Sequence, residues 1–364
     1  MKSPLFEHGG NVFAVACRLG VAPDEIADFS ASINPLGLSP LVKKSIIDAV
    51  DSLVHYPDIC HKELKDALAR YHGISPENIF VANGATEIIY HLPALLSGKR
   101  ALIVSPSFSE YEHALLLHQW EVHHFILSPQ TDFTLDMETL EHTLAEGYDV
   151  LYLCNPGNPS GTLYPIDIIE EVCTICMAKN VFLVLDEAFM DFSERDSAMQ
   201  LICKVKNGVL LRSMTKFFSI PGLRLGYAVT SPTLADRLDN IGGPWNVNTL
   251  ALVAGVTALN DVDHNMKTVA YIRSERIIFS ERLSRFPLLK VYPSSTNFLL
   301  IEIAGGLTAR ELKTCLEPQR VLIRDCSSFL GLTPHFFRVA LRTEKENDLL
   351  IACLENFFVH GNLE

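Results

Sequence analysis

Between residues 79 and 230, short apolar runs alternate with helical stretches, and no other feature limits the folding of this 364-residue chain as strongly. The runs fall at residues 80–82, 101–105, 122–127, 150–154, 181–185, 209–211 and 227–230. They are short and continuously apolar, as strands buried on both faces are, so the pattern predicts a largely parallel sheet with helices on both faces. In such sheets, ligands collect beyond the carboxyl ends of the strands.

Polar and small residues stand at those ends. Asn83-Gly84-Ala85-Thr86-Glu87 is a small-residue turn opening a helix, and its backbone N–H groups and Thr86 hydroxyl suit a phosphate. Pro106-Ser107-Phe108-Ser109-Glu110-Tyr111 offers an aromatic face. Asn155-Pro156-Gly157-Asn158-Pro159-Ser160-Gly161 and Asp186-Glu187-Ala188-Phe189 follow the runs at 150–154 and 181–185. Each alone reads as a cap, a core aromatic, a turn or a capping acid. Five strand ends supplying such groups are harder to explain as caps.

The fifth is residues 208–227, where a β-branched run ends in Ser213-Met214-Thr215-Lys216 and Arg224 follows eight residues on. A lysine in water has a pKa of about 10.4, but burial and cationic neighbours lower it until the free amine attacks a carbonyl. Ser213, Thr215 and Arg224 have the donors of a phosphate cradle. Pyridoxal phosphate (PLP) needs this combination: a lysine for its aldehyde, donors for its phosphate and an acid for its ring nitrogen.

Composition narrows the setting. The chain is 48% hydrophobic and 20% charged, ordinary for a globular protein with a large core. A net charge of -13 without a basic block argues against nucleic acid or an anionic membrane as partner. No signal peptide or membrane span is legible, so a cytoplasmic protein is expected. Nine scattered cysteines read as reduced thiols, and Cys173 and Cys176 as helix packing; no metal is expected.

Residues 1–40 form an arm and the start of a small domain, 41–232 the large domain, and 233–364 a smaller α+β domain. In the last of these, Arg324 and Arg338 lie within the apolar segments 321–324 and 336–340. An unpaired guanidinium there would be costly, so each should have an anionic partner.

Taken in order, the motifs N-P-x-N-P-x-G, D-E-A-F and S-x-T-K-x-x-x-x-P-G-L-R-x-G resemble those of the aspartate-aminotransferase superfamily of PLP enzymes. The resemblance covers essentially the whole chain. It implies an α/β aspartate-aminotransferase-like fold, with a large domain holding a mostly parallel sheet between helices and a smaller α+β domain. Four segments are similar to those of the threonine-phosphate decarboxylase family of cobalamin biosynthesis, near relatives of the histidinol-phosphate aminotransferases. They are His8-Gly9-Gly10-Asn11, residues 28–35, residues 186–192 and residues 215–222.

By this resemblance Lys216 carries the cofactor, Asp186 pairs with its ring nitrogen, Asn158 bonds its phenolic oxygen and Phe108 stacks on its ring. Gly84, Ala85, Thr86, Ser213, Thr215 and Arg224 hold its phosphate, joined by Tyr56 from the neighbouring subunit of a homodimer with shared active sites. His8, Gly9, Asn34, Asn158, Arg324 and Arg338 bind a phosphorylated amino-acid substrate. The implied reaction is decarboxylation of L-threonine O-3-phosphate. An aminotransferase acting on a phosphorylated substrate such as histidinol phosphate is the rival, and a non-catalytic PLP-fold binding protein a remote third. Phe189 stands where aminotransferases usually place a tyrosine, which puts ordinary transamination in doubt.

Overall fold

A computed structural model gives the structure of residues 9–360, so His8 lies outside the described residues. After helix Val12–Leu19 comes the short strand β1 (Ala27–Asp28). Seven strands then build the large sheet: β2 (Ile79–Ala82), β3 (Arg100–Ser105), β4 (Glu121–Ile126), β5 (Val150–Cys154), β6 (Phe182–Asp186), β7 (Gly208–Ser213) and β8 (Gly226–Thr230). Their order is β2-β8-β7-β6-β5-β3-β4, and β8 runs antiparallel to both of its neighbours while the other pairs are parallel. Every residue of β2, β5, β7 and β8 is buried, which accounts for the unbroken apolar runs; only the edge strand β4 is half-exposed along its length.

The parallel register sets the strand ends level. Cys154 at the end of β5 pairs with Asp186 at the end of β6, and Asp186 with Leu211 of β7. The turns that follow these strands therefore emerge side by side on one edge of the sheet.

The second unit is the antiparallel sheet β12-β13-β10-β9, built from β9 (Leu289–Val291), β10 (Phe298–Ile303), β12 (Arg324–Asp325) and β13 (Phe336–Ala340). The apolar segment 321–324 does not form one strand. Its first part, β11 (Val321–Leu322), pairs with β1 in parallel, and the chain switches at Ile323 to join the other sheet through β12. The amino-terminal arm is thereby fastened to the small unit.

The domain boundary differs from the sequence expectation at 232. Helix Pro232–Gly242 packs on β2 and helix Ala85–Leu95, and helix Thr249–Asn260 on helices Pro40–Asp48 and Lys62–His72. Residue 232 marks the end of the last strand of the large sheet, whereas its packing layers continue through Asn260. The 22-residue helix Val262–Leu283 then carries the chain to β9, β10 and helix Glu344–Glu355. Cys173 and Cys176 are buried in helix Ile166–Ala178. Among the described residues, no helix is long and apolar enough to cross a membrane.

Candidate active site

A cavity of about 580 Å³ opens where the level strand ends meet the small unit. It is lined by Ala85, Thr86, Phe108, Asn158, Asp186, Ser213, Thr215, Lys216 and Arg224 from the large unit. Arg324 and Arg338 come from the small unit, and Gly9 and Ser32 from the arm.

Lys216 projects from the one-turn helix Met214–Phe217 that follows β7. Its Nζ donates to Thr215 Oγ1 at 2.8 Å, and Thr215 Oγ1 lies 2.7 Å from Ser213 Oγ. Burial lowers the Lys216 pKa to about 8, with Arg224 and Arg338 pushing the same way and Asp186 opposing. The free, nucleophilic amine is thus reached at a much lower pH than for a lysine in water.

Asp186 ends β6 with both oxygens engaged: Oδ1 accepts from the Ala188 N–H at 2.8 Å, and Oδ2 accepts from the Tyr111 hydroxyl. Burial pushes its carboxyl above the ordinary carboxylate range, against the pull of those two bonds and of Lys216. A cation placed beside it would offset that burial.

Gly84, which caps helix Ala85–Leu95, has φ 82°, a left-handed conformation that favours glycine. A Cβ there would stand 2.8 Å from Arg224 Nη2, so the absence of a side chain lets the guanidinium approach the helix N-terminus. The geometry makes an anion seat of N–H groups, the Thr86 hydroxyl and one cation. A nucleophilic lysine, a buried acid, an aromatic ring and this seat in one cavity fit the donor set of PLP.

Arg324 and Arg338 face each other across β12 and β13 as direct register partners, and they are only 8% and 7% exposed. Two like charges opposite each other in a ladder repel. Arg338 Nη1 donates to Asn158 Oδ1 and Nη2 to the Ser30 carbonyl at 3.2 Å, while its buried Nε has no partner. Arg324 donates to Ser328 Oγ at 3.1 Å. An anion between the two guanidinium groups would relieve the repulsion and satisfy Nε.

Two expected site residues, Asn34 and Tyr56, sit differently, whereas Gly9 falls where it was expected. Asn34 does not line the cavity: its amide donates at 2.9 Å to both the Phe217 carbonyl and Thr268 Oγ1, so it holds the arm against the Lys216 segment. Tyr56 is 78% exposed, lies outside its own chain's cavity and stacks on Trp245 with ring centroids 4.5 Å apart. Gly9 lines the cavity with its Cα against the Ser30 carbonyl, where a Cβ would collide.

Sequence reasoning missed Ser32 and Tyr111. Ser32 is two residues before Asn34 in the same segment, and its buried hydroxyl lines the cavity without a partner. Tyr111 is three residues after Phe108; helical spacing at that position was the signal that could have found it. Also missed was Arg212, fully buried behind the site, where it meets Glu187 at 3.1 Å, Asp191 at 3.3 Å and Glu194 at 2.8 Å.

The fold and the cavity define a class, and residues 24–354 match the family described as Aminotransferase class I and II; the chain belongs to that family. It is 39% identical over 96% of its length to the threonine-phosphate decarboxylase of Salmonella typhimurium, of which it covers 96%. Among solved structures, it is similar to the L-threonine-O-3-phosphate decarboxylase of Porphyromonas gingivalis, with TM-score 0.80, 30% identity and coverage of 90% of this chain and 98% of that one. It is also similar to the histidinol-phosphate aminotransferase of Clostridium acetobutylicum, with TM-score 0.85, 28% identity and coverage of 91% and 99%.

Proposed function

We propose that the chain is a PLP-dependent carboxy-lyase of cobalamin biosynthesis that converts L-threonine O-3-phosphate to (R)-1-aminopropan-2-ol O-phosphate and CO₂. The observation that carries this reading is the 39% identity, spanning nearly all of both chains, to the Salmonella typhimurium threonine-phosphate decarboxylase. The cavity supports it through its buried Arg324–Arg338 pair, which suits a doubly charged phosphate on the substrate.

When bound, PLP supplies an aldehyde for the substrate amine and a cationic ring that takes up the electrons of a broken Cα bond. The chain's own residues do the rest. Asp186 would accept the ring N–H and keep that nitrogen charged, and Phe108 would pack on the ring. Gly84, Ala85, Thr86, Ser213, Thr215 and Arg224 would hold the cofactor phosphate. With Asn158 Oδ1 occupied by Arg338, its Nδ2 is left to donate to the phenolic oxygen.

Arg324 and Arg338 hold the substrate by its phosphate, with Gly9, Ser32 and the arm closing that end. Held so, the substrate would keep its carboxylate free of a cationic grip, and remote binding energy would be spent on geometry. Lys216 returns a proton to Cα after CO₂ departs.

The protein works in the cytoplasm as a homodimer, Tyr56 of each protomer reaching the cofactor phosphate of the other. Its exposure supports this, as do the exposed Val50, Leu53 and Val54 just before it. A second reading, aminotransfer on a phosphorylated amine, is favoured by the likeness to the Clostridium acetobutylicum structure.

Incubation with L-threonine O-3-phosphate and no 2-oxo acid separates the two. Catalytic CO₂ with one equivalent of aminopropanol phosphate is expected. No CO₂, with turnover only when a 2-oxo acid is present, would assign the aminotransferase.

A further inference from the structure

Tyr111 is 1% exposed and touches two residues of the site and one of the core beside it. Its hydroxyl donates to Asp186 Oδ2. Phe108 meets its ring edge-on, with centroids 5.8 Å apart and planes at 85°. On another side it packs against Tyr152, with centroids 5.3 Å apart. Burial, and then the Asp186 charge, hold the phenol well above its ordinary pKa, so it remains a donor at every working pH.

We propose that Tyr111 is the positioning residue that couples the cofactor's ring-nitrogen acid to its stacking ring. Its hydroxyl orients Asp186 and keeps it ionised, while its ring fixes the tilt of Phe108. This rests on the reading that Asp186 meets the pyridine nitrogen.

The chemistry follows from what offsets the burial of Asp186. That carboxylate is favoured by Tyr111, by the Ala188 N–H and by the positive charge of Lys216. The charge of Lys216 is no longer a fixed contribution once the amine takes part in chemistry, whereas the bonds from Tyr111 and Ala188 persist. The Ala188 N–H sits on Oδ1, and among the described residues Tyr111 is the hydrogen-bond donor to Oδ2. Loss of its hydroxyl removes a charge-assisted bond and lets the carboxyl drift toward the neutral acid, a poor partner for a protonated ring.

Tyr111→Phe retains the contacts to Phe108 and Tyr152 and deletes only the hydroxyl. The apoprotein should show the circular dichroism of the wild type, with a PLP dissociation constant raised about tenfold. The pH midpoint of the bound cofactor's visible absorbance should rise, because a less positive ring holds a second proton on the cofactor more readily. Fluorotyrosine at position 111, a more acidic and therefore stronger donor, should move that midpoint down; it also carries the test should the phenylalanine variant fail to fold. Unchanged affinity and midpoint in Tyr111→Phe, or no downward movement with fluorotyrosine, overturn the proposal. Asp186→Asn run in parallel separates the causes. If it weakens PLP binding while Tyr111→Phe does not, the Tyr111 proposal alone fails; if neither has an effect, the reading of Asp186 fails and takes the proposal with it.

Discussion

Arg338 of β13 donates through Nη1 to Oδ1 of Asn158, tying the small unit to the turn after β5 across 180 residues of sequence. The bond fixes where the guanidinium sits over the cavity, and the unpartnered Nε and the opposing Arg324 define what it lacks. An anion between the two guanidinium groups would complete the group. Replacing either arginine by Gln is expected to raise KM for the phosphorylated substrate by roughly 100-fold, since charge-assisted bonds to a phosphate are lost. Titration should show PLP affinity within about twofold of the wild type. Unaltered kinetics in both variants would refute the assignment.

Lys216→Ala should give a folded protein without turnover. The measurement is CO₂ release together with the visible spectrum after PLP addition. Wild-type turnover by this variant would remove Lys216 from the chemistry.

The Lys216 pKa of about 8 lies below its value in an unfolded chain, so the free amine grows as pH rises and predominates above about 8. The rate at which apoprotein captures PLP should rise with pH and level off there. Arg224→Gln removes the largest opposing charge and should move the midpoint upward. Stopped-flow absorbance reads both; a pH-independent rate counts against the lowered amine.

If Tyr56 serves the neighbouring subunit, two defective chains can rescue each other. Mixed Lys216→Ala and Tyr56→Phe protomers should recover up to about a quarter of the wild-type rate, carried by the heterodimer's one site with both native residues. Light scattering that shows a fully active monomer would exclude the arrangement.

Asp186 and Glu187 are neighbours in sequence but serve opposite sides: Asp186 lines the cavity, and Glu187 accepts from Arg212 Nε behind it. Arg212→Met leaves Glu187, Asp191 and Glu194 without their shared cation. It is expected to lower stability by about 3–5 kcal/mol, the usual result of breaking a buried ion pair. Urea denaturation of the apoprotein measures it, and a loss under about 1 kcal/mol would show the cluster to be dispensable.

The sequence by itself determined the elements and the chemistry at their ends. Continuous apolar runs became strands buried on both faces, and parallel register obliged Asn158, Asp186 and Lys216 to emerge on one edge, because chain direction fixes which end of each strand the next turn occupies. Only tertiary structure decided which loop residues turn inward. Asn34 and Ser32 share one short segment, yet contacts with Phe217 and Thr268, 183 and 234 residues away, take the amide of Asn34 out of the cavity and leave the hydroxyl of Ser32 in it. The split of residues 321–324 between two sheets, the pairing of Arg324 with Arg338 and the bond from Tyr111 to Asp186 are likewise long-range. Local periodicity sets how a segment folds; side-chain partners across such distances depend on packing that no window of sequence contains.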